Sequence, residues 1–346
     1  MVLSERIRSF EILGDRLRRY HELSNEMEIQ PLVRAAGMAF SSNPWFTPEH
    51  IRIALNNLGR SLTAENLDKW LAPYIDNLDA LKNSRKVGVV MAGNIPAVGF
   101  HDFLCVLISG HTLIAKLSSS DNHLLPAMAE IMIEHHSGWK DKIFFTTGRL
   151  EQFDAIIATG SSNTSRYFEH YFGRHPHIIR KTRHSIAVLN GDESSGELEN
   201  LSDDIMLYFG MGCRSISKIH VPAGYDFTAL VKALSKYDDF INHNKYFNNY
   251  QYNKSIFMVG QVPFIDTGFL LLKEDVELAS RIALLNYEFY STPEEIDESV
   301  KRYGDTLQCA VSKMPLSIKS LRPGEGQNPA LWDYADHIDT LEFLLS

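Results

Sequence analysis

Cysteine is scarce in this chain, which has only three among 346 residues: Cys105, Cys213 and Cys309. They are far apart, odd in number and without Cys-x-x-Cys spacing, which argues against both a disulfide framework and a zinc site. We therefore expect reduced thiols and no metal.

Long apolar runs and an excess of basic charge are also missing. The longest apolar stretch, near Phe103 to Ile108, is far too short for a membrane span, and Met1 to Arg8 is charged too early for a signal peptide. A net charge of −9 argues against nucleic acid as a partner. These absences predict a cytoplasmic protein without a membrane span.

What is present is an apolar fraction of 44% and a length typical of about two domains. Residues 1 to about 85 predict a helical leader, with Thr47 as N-cap and Pro48 as first helical residue. From Lys86, short apolar runs alternate with helical segments, which is typical of an α/β fold with a parallel sheet covered on both faces. The predicted strands are Val87–Met91, Leu113–Leu117, Ile143–Thr146 and Ala155–Thr159.

The second half repeats the alternation of strand and helix, which predicts a second α/β unit. We expect residues 1–184 to form the leader and a Rossmann-type nucleotide-binding domain, and residues 185–315 to form a second α/β domain that carries Cys213. Residues 316–346 are expected to return to the first domain or to a subunit interface. Predicted strands here are Ser185–Leu189, Lys218–Val221, Phe269–Leu272, Ala283–Tyr287 and Thr306–Val311.

Cys213 follows a predicted helix over Ser202–Phe209, with Ser202 as N-cap, and precedes a strand. Gly210 and Gly212 make the connection tight, so the thiol can lie at the mouth of a cleft with its backbone N–H directed at the atom it attacks. The alternative is a buried cysteine that acts as a small apolar side chain.

Three loops follow predicted strands of the first half, where ligands of open α/β sheets bind. Asn94 can direct an amide at a carbonyl oxygen, or merely close a turn. The other two loops suit phosphate or ribose at helix starts, or plain capping by Ser120 or Asp121. No Gly-x-Gly-x-x-Gly is present. The candidate cofactor residues are Lys116, Ser118, Ser119, Thr159, Gly160 and Ser161.

The order of four elements along the chain resembles the aldehyde dehydrogenase superfamily. These elements are Asn94, Lys116 with its serines, Thr159-Gly-Ser and Gly212-Cys213. A closer similarity is to the fatty acyl-CoA reductase family that includes the reductase subunit of bacterial bioluminescence. The segments that carry it are Ser185–Gly191, Tyr208–Lys218, Asn242–Asn249 and Leu331–Phe343.

The resemblance implies that Cys213 is the nucleophile and that Asn94, with the Cys213 backbone N–H, holds the thioester oxygen. It further implies a role for Glu277 at the nicotinamide ribose, although only the glutamate of that motif agrees and a solvated residue is the alternative. The implied cofactor residues are Thr159, Gly160 and Ser161 at the pyrophosphate and Lys116 at the adenosine ribose.

Two departures from aldehyde-oxidising relatives give the expected direction of the reaction. Lys181–Ser185 replaces their Glu-Leu-Gly-Gly, whose glutamate activates the hydrolytic water, so a thioacyl enzyme would persist for reduction. Ser118 and Ser119 replace an acid common in NAD-preferring relatives, which makes NADPH acceptable beside NADH.

The resulting prediction is an NAD(P)H-dependent acyl-CoA reductase that forms an aldehyde. Its expected partners are acyl-CoA, an acyl-protein as an alternative donor, and further copies of the chain in a homo-oligomer. The alternatives are a cysteine-dependent acyltransferase or thioesterase that uses no nicotinamide, and a non-catalytic scaffold.

Overall fold

The computed structural model describes residues 1–80 and 83–346 and contains two compact units. The first consists of Met1–Lys181 together with Ala330–Ser346, and the second of Thr182–Pro329. Domain boundaries at residues 184 and 315 stay predictions.

The leader is helical, as expected from its sequence. The Thr47 side chain accepts a hydrogen bond from the backbone N–H of His50, and Pro48 is the first helical residue, so the predicted helix start is confirmed. The apolar faces of these helices join the core of the first unit. The helices are α1 (Leu3–Arg19), α2 (Gln30–Ser42), α3 (Pro48–Ser61), α4 (Ala64–Leu71) and α5 (Ile75–Ala80).

A five-stranded parallel sheet follows, in the order β3-β2-β1-β4-β5. Both faces of β4 are buried: Ile157 lies in the main core, whereas Ile156 and Ala158 lie in a second cluster with Phe168 and Phe172. The sheet is therefore covered on both faces, as predicted. Its elements are β1 (Lys86–Val90), α6 (Phe100–Ile108), β2 (Thr112–Lys116), α7 (Leu124–His135), β3 (Ile143–Thr146), β4 (Ala155–Thr159), α8 (Ser162–Phe172) and β5 (His177–Arg180).

The second unit contains a seven-stranded sheet in the order β12-β11-β6-β7-β10-β9-β8, in which the β8–β9 pair is antiparallel and the other pairs are parallel. Its strands are β6 (His184–Val188), β7 (Ile216–Pro222), β8 (Ile265–Asp266), β9 (Leu271–Glu274), β10 (Leu284–Tyr290), β11 (Leu307–Ser312) and β12 (Ser320–Leu321). Its helices are α9 (Ser195–Met206), α10 (Thr228–Leu234), α11 (Asn244–Val259) and α12 (Pro293–Tyr303).

The predicted helix over Ser202–Phe209 is wrong at both ends. Helix α9 begins earlier, because Ser194 and Glu197 form a capping box, and it ends at Met206. Ser202 lies inside the helix, where its hydroxyl donates to the carbonyl of Glu199 at 2.6 Å. Ser202 is therefore not an N-cap.

The chain ends in α13 (Thr340–Leu345), which returns to the first unit. Arg180 donates to the Thr340 hydroxyl at 2.9 Å, and the imidazole of His111 lies 2.8 Å from the carbonyl oxygen of Leu344. The Trp70 indole donates to the Tyr334 hydroxyl at 2.8 Å. The last segment thus completes the core of a unit that begins at the first residue.

Within residues 1–80 and 83–346, no helix is both long and apolar enough to cross a membrane. Across the same part of the chain, no group of three or more His, Cys, Asp or Glu side chains is placed to hold a metal ion.

Candidate active site

Cys213 is exposed and lies in a tight turn just before β7. The turn is closed twice: the backbone N–H of Ser215 donates to the carbonyl of Gly212 at 3.0 Å, and the N–H of Gly212 donates to the Ser215 hydroxyl at 3.1 Å. Its solvent-facing thiol is compatible with a nucleophile and contradicts the alternative of a buried apolar cysteine.

The approach to this turn has an unusual backbone. Tyr208 and Phe209 are both left-handed, with φ of 56° and 58°, and both are buried. Such a conformation costs roughly 1–2 kcal/mol per residue for side chains with a Cβ. The Phe209 ring packs against Phe240 at 4.4 Å and Tyr246 at 5.6 Å between centroids, and this aromatic packing offsets the cost.

Ser185 connects the turn to the sheet. Its hydroxyl donates to the carbonyl of Cys213 at 2.9 Å and lies 3.1 Å from the sulfur of Cys309. Burial raises the pKa of the Cys309 thiol, with the charge of Arg214 acting in the opposite direction. Cys309 is therefore the less reactive neighbour, and Cys213 the accessible thiol.

Asp204, on α9, supports a loop next to the turn. Its carboxylate accepts the backbone N–H groups of Gly324 at 2.6 Å and Gly326 at 2.9 Å. The Gln327 amide in that loop then contacts the Ser215 hydroxyl at 3.3 Å. Burial raises the pKa of Asp204 to about 6 in spite of these hydrogen bonds.

Glu277 is exposed in the connection between β9 and β10 of the second unit. Its backbone N–H donates to Asp275 at 3.1 Å, and its carbonyl accepts from the Asn286 amide at 3.1 Å. The backbone is thus held while the carboxylate faces solvent. Its assignment to a nicotinamide ribose stays a prediction.

In the first unit, the three predicted loops lie at one edge of the sheet, because β1 is the central strand between β2 and β4. Asn94 follows β1 and is exposed, and Lys116 ends β2 half-buried. The backbone N–H of Met91 donates to the carbonyl of Lys116 at 3.0 Å, which joins the first two loops at their base.

The loop after β2 packs closely on the Asn94 loop. A Cβ at Gly93 would lie 2.4 Å from the hydroxyl oxygen of Ser118, so only glycine fits there. The same hydroxyl accepts the backbone N–H of Ser120 at 3.2 Å, and Ser119 beside it is exposed. Ser118 thus takes part in loop packing, whereas Ser119 faces solvent.

Asp121 crosses between these loops. Its Oδ2 accepts the backbone N–H of Ala97 at 2.7 Å, in the Asn94 loop. Burial raises the pKa of Asp121 to about 6, and the hydrogen bond from Ala97 opposes that shift without cancelling it.

The third loop ends at the start of α8. Ser161 is the N-cap and accepts the backbone N–H of Thr164 at 3.2 Å, so its predicted position at a helix start is confirmed. A Cβ at Gly160 would lie 2.9 Å from the Phe168 ring, so this glycine is needed for packing of the helix itself. Thr159, which ends β4, is half-buried.

Sequence reasoning missed three supporting residues: Ser185, Asp204 and the bridging role of Asp121. The motif Ser-Ser-Ser-Asp before a helix suggests Asp121 or Ser120 as a cap, but the N-cap of α7 is His123, and the Asp121 carboxyl binds a residue in another loop. Ser185 and Asp204 carry no local signal, since their partners come from distant parts of the chain.

No protein-family model matches the sequence, and no curated protein sequence matches it significantly. Among solved structures, the chain is similar to a mutant indole-3-acetaldehyde dehydrogenase of P. syringae in complex with NAD+ and IAA. The identity is 12%, the TM-score is 0.63, and the match covers 90% of this chain and 72% of that one.

Two further structures show the same likeness. An aldehyde dehydrogenase of Bacillus cereus in an NAD+ complex has 14% identity, a TM-score of 0.62 and coverage of 90% and 72%. Aldehyde dehydrogenase 21 of Physcomitrella patens, in complex with the reaction product succinate, has 12% identity, a TM-score of 0.62 and coverage of 90% and 73%. At these identities the likeness shows the fold alone, and that fold is the aldehyde dehydrogenase fold.

Proposed function

We propose that the protein is an NAD(P)H-dependent acyl-CoA reductase that releases an aldehyde through a thioacyl intermediate on Cys213. The observation that carries this proposal is the exposed thiol in a closed turn at the start of β7. The other two cysteines are less suited, because Cys105 is fully buried and burial raises the pKa of Cys309.

The chemistry begins with attack of the Cys213 thiolate on the acyl carbonyl carbon. A new carbon–sulfur bond forms, and the bond to coenzyme A breaks as its thiolate leaves. The Ser185 bond to the Cys213 carbonyl restrains the peptide plane that follows Cys213. The Cys213 N–H has the proposed role of donor to the thioester oxygen. Asn94 has the proposed role of second donor to that oxygen.

The residue segment Lys181–Ser185 supports reduction over hydrolysis. Lys181 pairs with Glu169 at 3.0 Å, and Ser185 is engaged with Cys213 and Cys309. The segment contains no carboxylate, so the glutamate that activates water in the aldehyde-oxidising relatives has no counterpart here.

The first unit offers residues that fit a nicotinamide dinucleotide. Its predicted loops share one edge of a parallel sheet, and the first turn of α8 carries no acidic side chain that would repel a phosphate. When bound, the reduced nicotinamide supplies the hydride that converts the thioester to aldehyde. The proposed holders are Lys116, Ser118, Ser119, Thr159, Gly160, Ser161 and Glu277.

Acylation of the thiol tests the proposal. Cys213→Ala should lower covalent labelling by radiolabelled acyl-CoA by at least about 100-fold, because no other exposed thiol replaces it among the described residues. Cys309→Ala is the matched control and should retain labelling. Labelling that survives in Cys213→Ala would refute the nucleophile.

A second measurement separates the reductase from a cysteine acyltransferase or thioesterase. Wild-type protein mixed with acyl-CoA and NADPH or NADH should consume the reduced nicotinamide and form aldehyde in equal amounts. Labelling without nicotinamide consumption would favour the transferase. We also propose that the protein is a cytoplasmic homo-oligomer, and light scattering measures its oligomeric state. The proposed acyl donors are acyl-CoA and an acyl-protein, and comparing the rates with the two substrates distinguishes them.

A further inference from the structure

One buried carboxyl joins two loops that the proposed reaction uses. Asp121 is 4% exposed and lies between β2 and α7. Its Oδ2 accepts the backbone N–H of Ala97. Ala97 lies three residues after Asn94, in the loop that follows β1, whereas Asp121 lies in the loop that follows β2. Asp121 precedes His123, the N-cap of α7, and its side chain binds the neighbouring loop at Ala97.

The residue that Asp121 holds is strained. Ala97 has a φ of 55°, in the left-handed region that a residue with a Cβ adopts at a cost. Its carbonyl begins the turn into α6 by accepting the N–H of Phe100 at 2.9 Å. The bond to Asp121 therefore stabilises the one backbone conformation that leads from Asn94 into the helix.

The burial of Asp121 shows that this contact is maintained against a penalty. Its other oxygen, Oδ1, is buried without a hydrogen-bond partner among the described residues. A carboxyl in such a place costs stability relative to a neutral or apolar side chain.

The adjoining contacts leave the loops little freedom. Gly93 lies against Ser118, and the Asn43 amide donates to the carbonyl of Ser120 at 3.2 Å. The backbone of Asp121 itself donates to the carbonyl of Ser118 at 3.2 Å. A shift of Ala97 would consequently displace the Asn94 segment relative to this fixed neighbour.

We infer that Asp121 is a positioning residue, which sets the Asn94 amide for the acyl oxygen by holding Ala97 in its left-handed conformation. The inference rests on the proposed function for its catalytic consequence. It adds a determinant of rate that touches neither substrate nor cofactor.

The test uses variants that differ in the reach of the side-chain oxygen. Asp121→Ser keeps a polar hydroxyl but is too short for Ala97, whereas Asp121→Asn keeps an oxygen of full reach. Thr63→Val is the matched control, because it removes the N-cap of α4 in the leader of the same unit. Each full-length variant is compared by hydrogen exchange over residues 92–99 and by acyl-CoA reduction.

In Asp121→Ser, the protection of the amides of residues 92–99 from hydrogen exchange should fall. The kcat should decrease by about 10- to 100-fold, and KM for acyl-CoA should stay within about 3-fold, because a misplaced Asn94 amide weakens binding of the transition state. Asp121→Asn should restore kcat to within about 3-fold of wild type. Thr63→Val should lower stability without either change.

Unchanged protection in Asp121→Ser overturns the inference, and so does lost protection with unchanged kcat. If wild-type protein neither acylates nor consumes nicotinamide, the proposed function fails separately. In that case lost protection in Asp121→Ser still supports the holding of the Asn94 loop, and retained protection still refutes it.

Discussion

The two units hold their predicted site residues with different chemical groups. In the first, an ionisable carboxyl, Asp121, binds directly to the loop of Asn94. In the second, the carbonyl of Cys213 is held by a neutral hydroxyl, that of Ser185. The second unit also has a buried carboxyl, Asp204, but it binds the Gly324–Gly326 loop, and Gln327 of that loop contacts Ser215 in the turn.

This difference follows from what each segment is proposed to do. A negative charge beside a thiol disfavours the thiolate and raises the thiol pKa, so a nucleophile is better supported by neutral groups. Asn94 is proposed to donate through a neutral amide, and a nearby carboxylate does not alter its ionisation. Charge is therefore tolerated in the Asn94 loop, and would be costly in direct contact with Cys213.

The largest expected effect concerns the ionisation of Asp121. Its pKa is raised to about 6 from an ordinary value of 3.8, so the folded state binds the proton more tightly than the unfolded state. The contribution of Asp121 to the free energy of unfolding is the difference between wild type and Asp121→Asn. It should be most favourable below the unfolded pKa and fall by about 3 kcal/mol as the pH rises through about 6.

Tryptophan fluorescence during urea unfolding measures this, because all four tryptophans lie in the first unit: Trp45, Trp70, Trp139 and Trp332. Asp204→Asn, in the second unit, should leave the pH dependence of that transition unchanged. A flat difference between wild type and Asp121→Asn would contradict the assigned cost of burying Asp121.

A somewhat smaller effect is expected from closing the space between the two loops of the first unit. Gly93→Ala places a Cβ against Ser118 and should lower the free energy of unfolding by about 2 kcal/mol. Gly37→Ala is the control, since a Cβ there meets nothing within 4 Å in α2, and it should raise stability by about 0.5–1 kcal/mol.

The double variant Gly93→Ala/Ser118→Gly should recover much of the loss, because it removes the clashing side chain. Urea unfolding followed by tryptophan fluorescence gives all four values. Equal stability of Gly93→Ala and wild type would show that the two loops are not packed as closely as described.

The smallest effect concerns Cys213, whose carbonyl accepts a hydrogen bond from the neutral Ser185 hydroxyl. In native protein, a thiol reagent should modify Cys213 first and Cys309 more slowly, and should reach buried Cys105 only after unfolding. Cys309→Ala should leave the rate at Cys213 within about 2-fold, since Ser185 still donates to the Cys213 carbonyl. Mass spectrometry of timed samples measures the order, and earlier modification of Cys309 would contradict it.

Much of the fold could be predicted because parallel strands are short, continuous apolar runs. The bounds of β3 and β4 agree with the sequence prediction, and the sheet order brings the three predicted loops to one edge. The start of α9 could not be resolved locally, since Ser194 and Ser202 are both followed by acidic residues. Only the paired hydrogen bonds of Ser194 and Glu197 distinguish the true N-cap.

The candidate site could be predicted only where the reacting side chain has a local pattern. Cys213 after Gly210 and Gly212, and Ser161 before a helix, are of this kind. The bond from Asp121 to Ala97 joins residues far apart in sequence, and left-handed Phe209 depends on packing against Phe240 and Tyr246. Such features follow from the assembled tertiary structure, which no short segment encodes.

The return of Ala330–Ser346 to the first unit has a consequence for synthesis of the protein. The ribosome releases Met1–Lys181 first, then the whole second unit, and only then the segment that carries Thr340 and Leu344. Until that moment Arg180 and His111 are without these partners. The nascent chain therefore completes its first unit last, after the unit with the nucleophile has already left the ribosome.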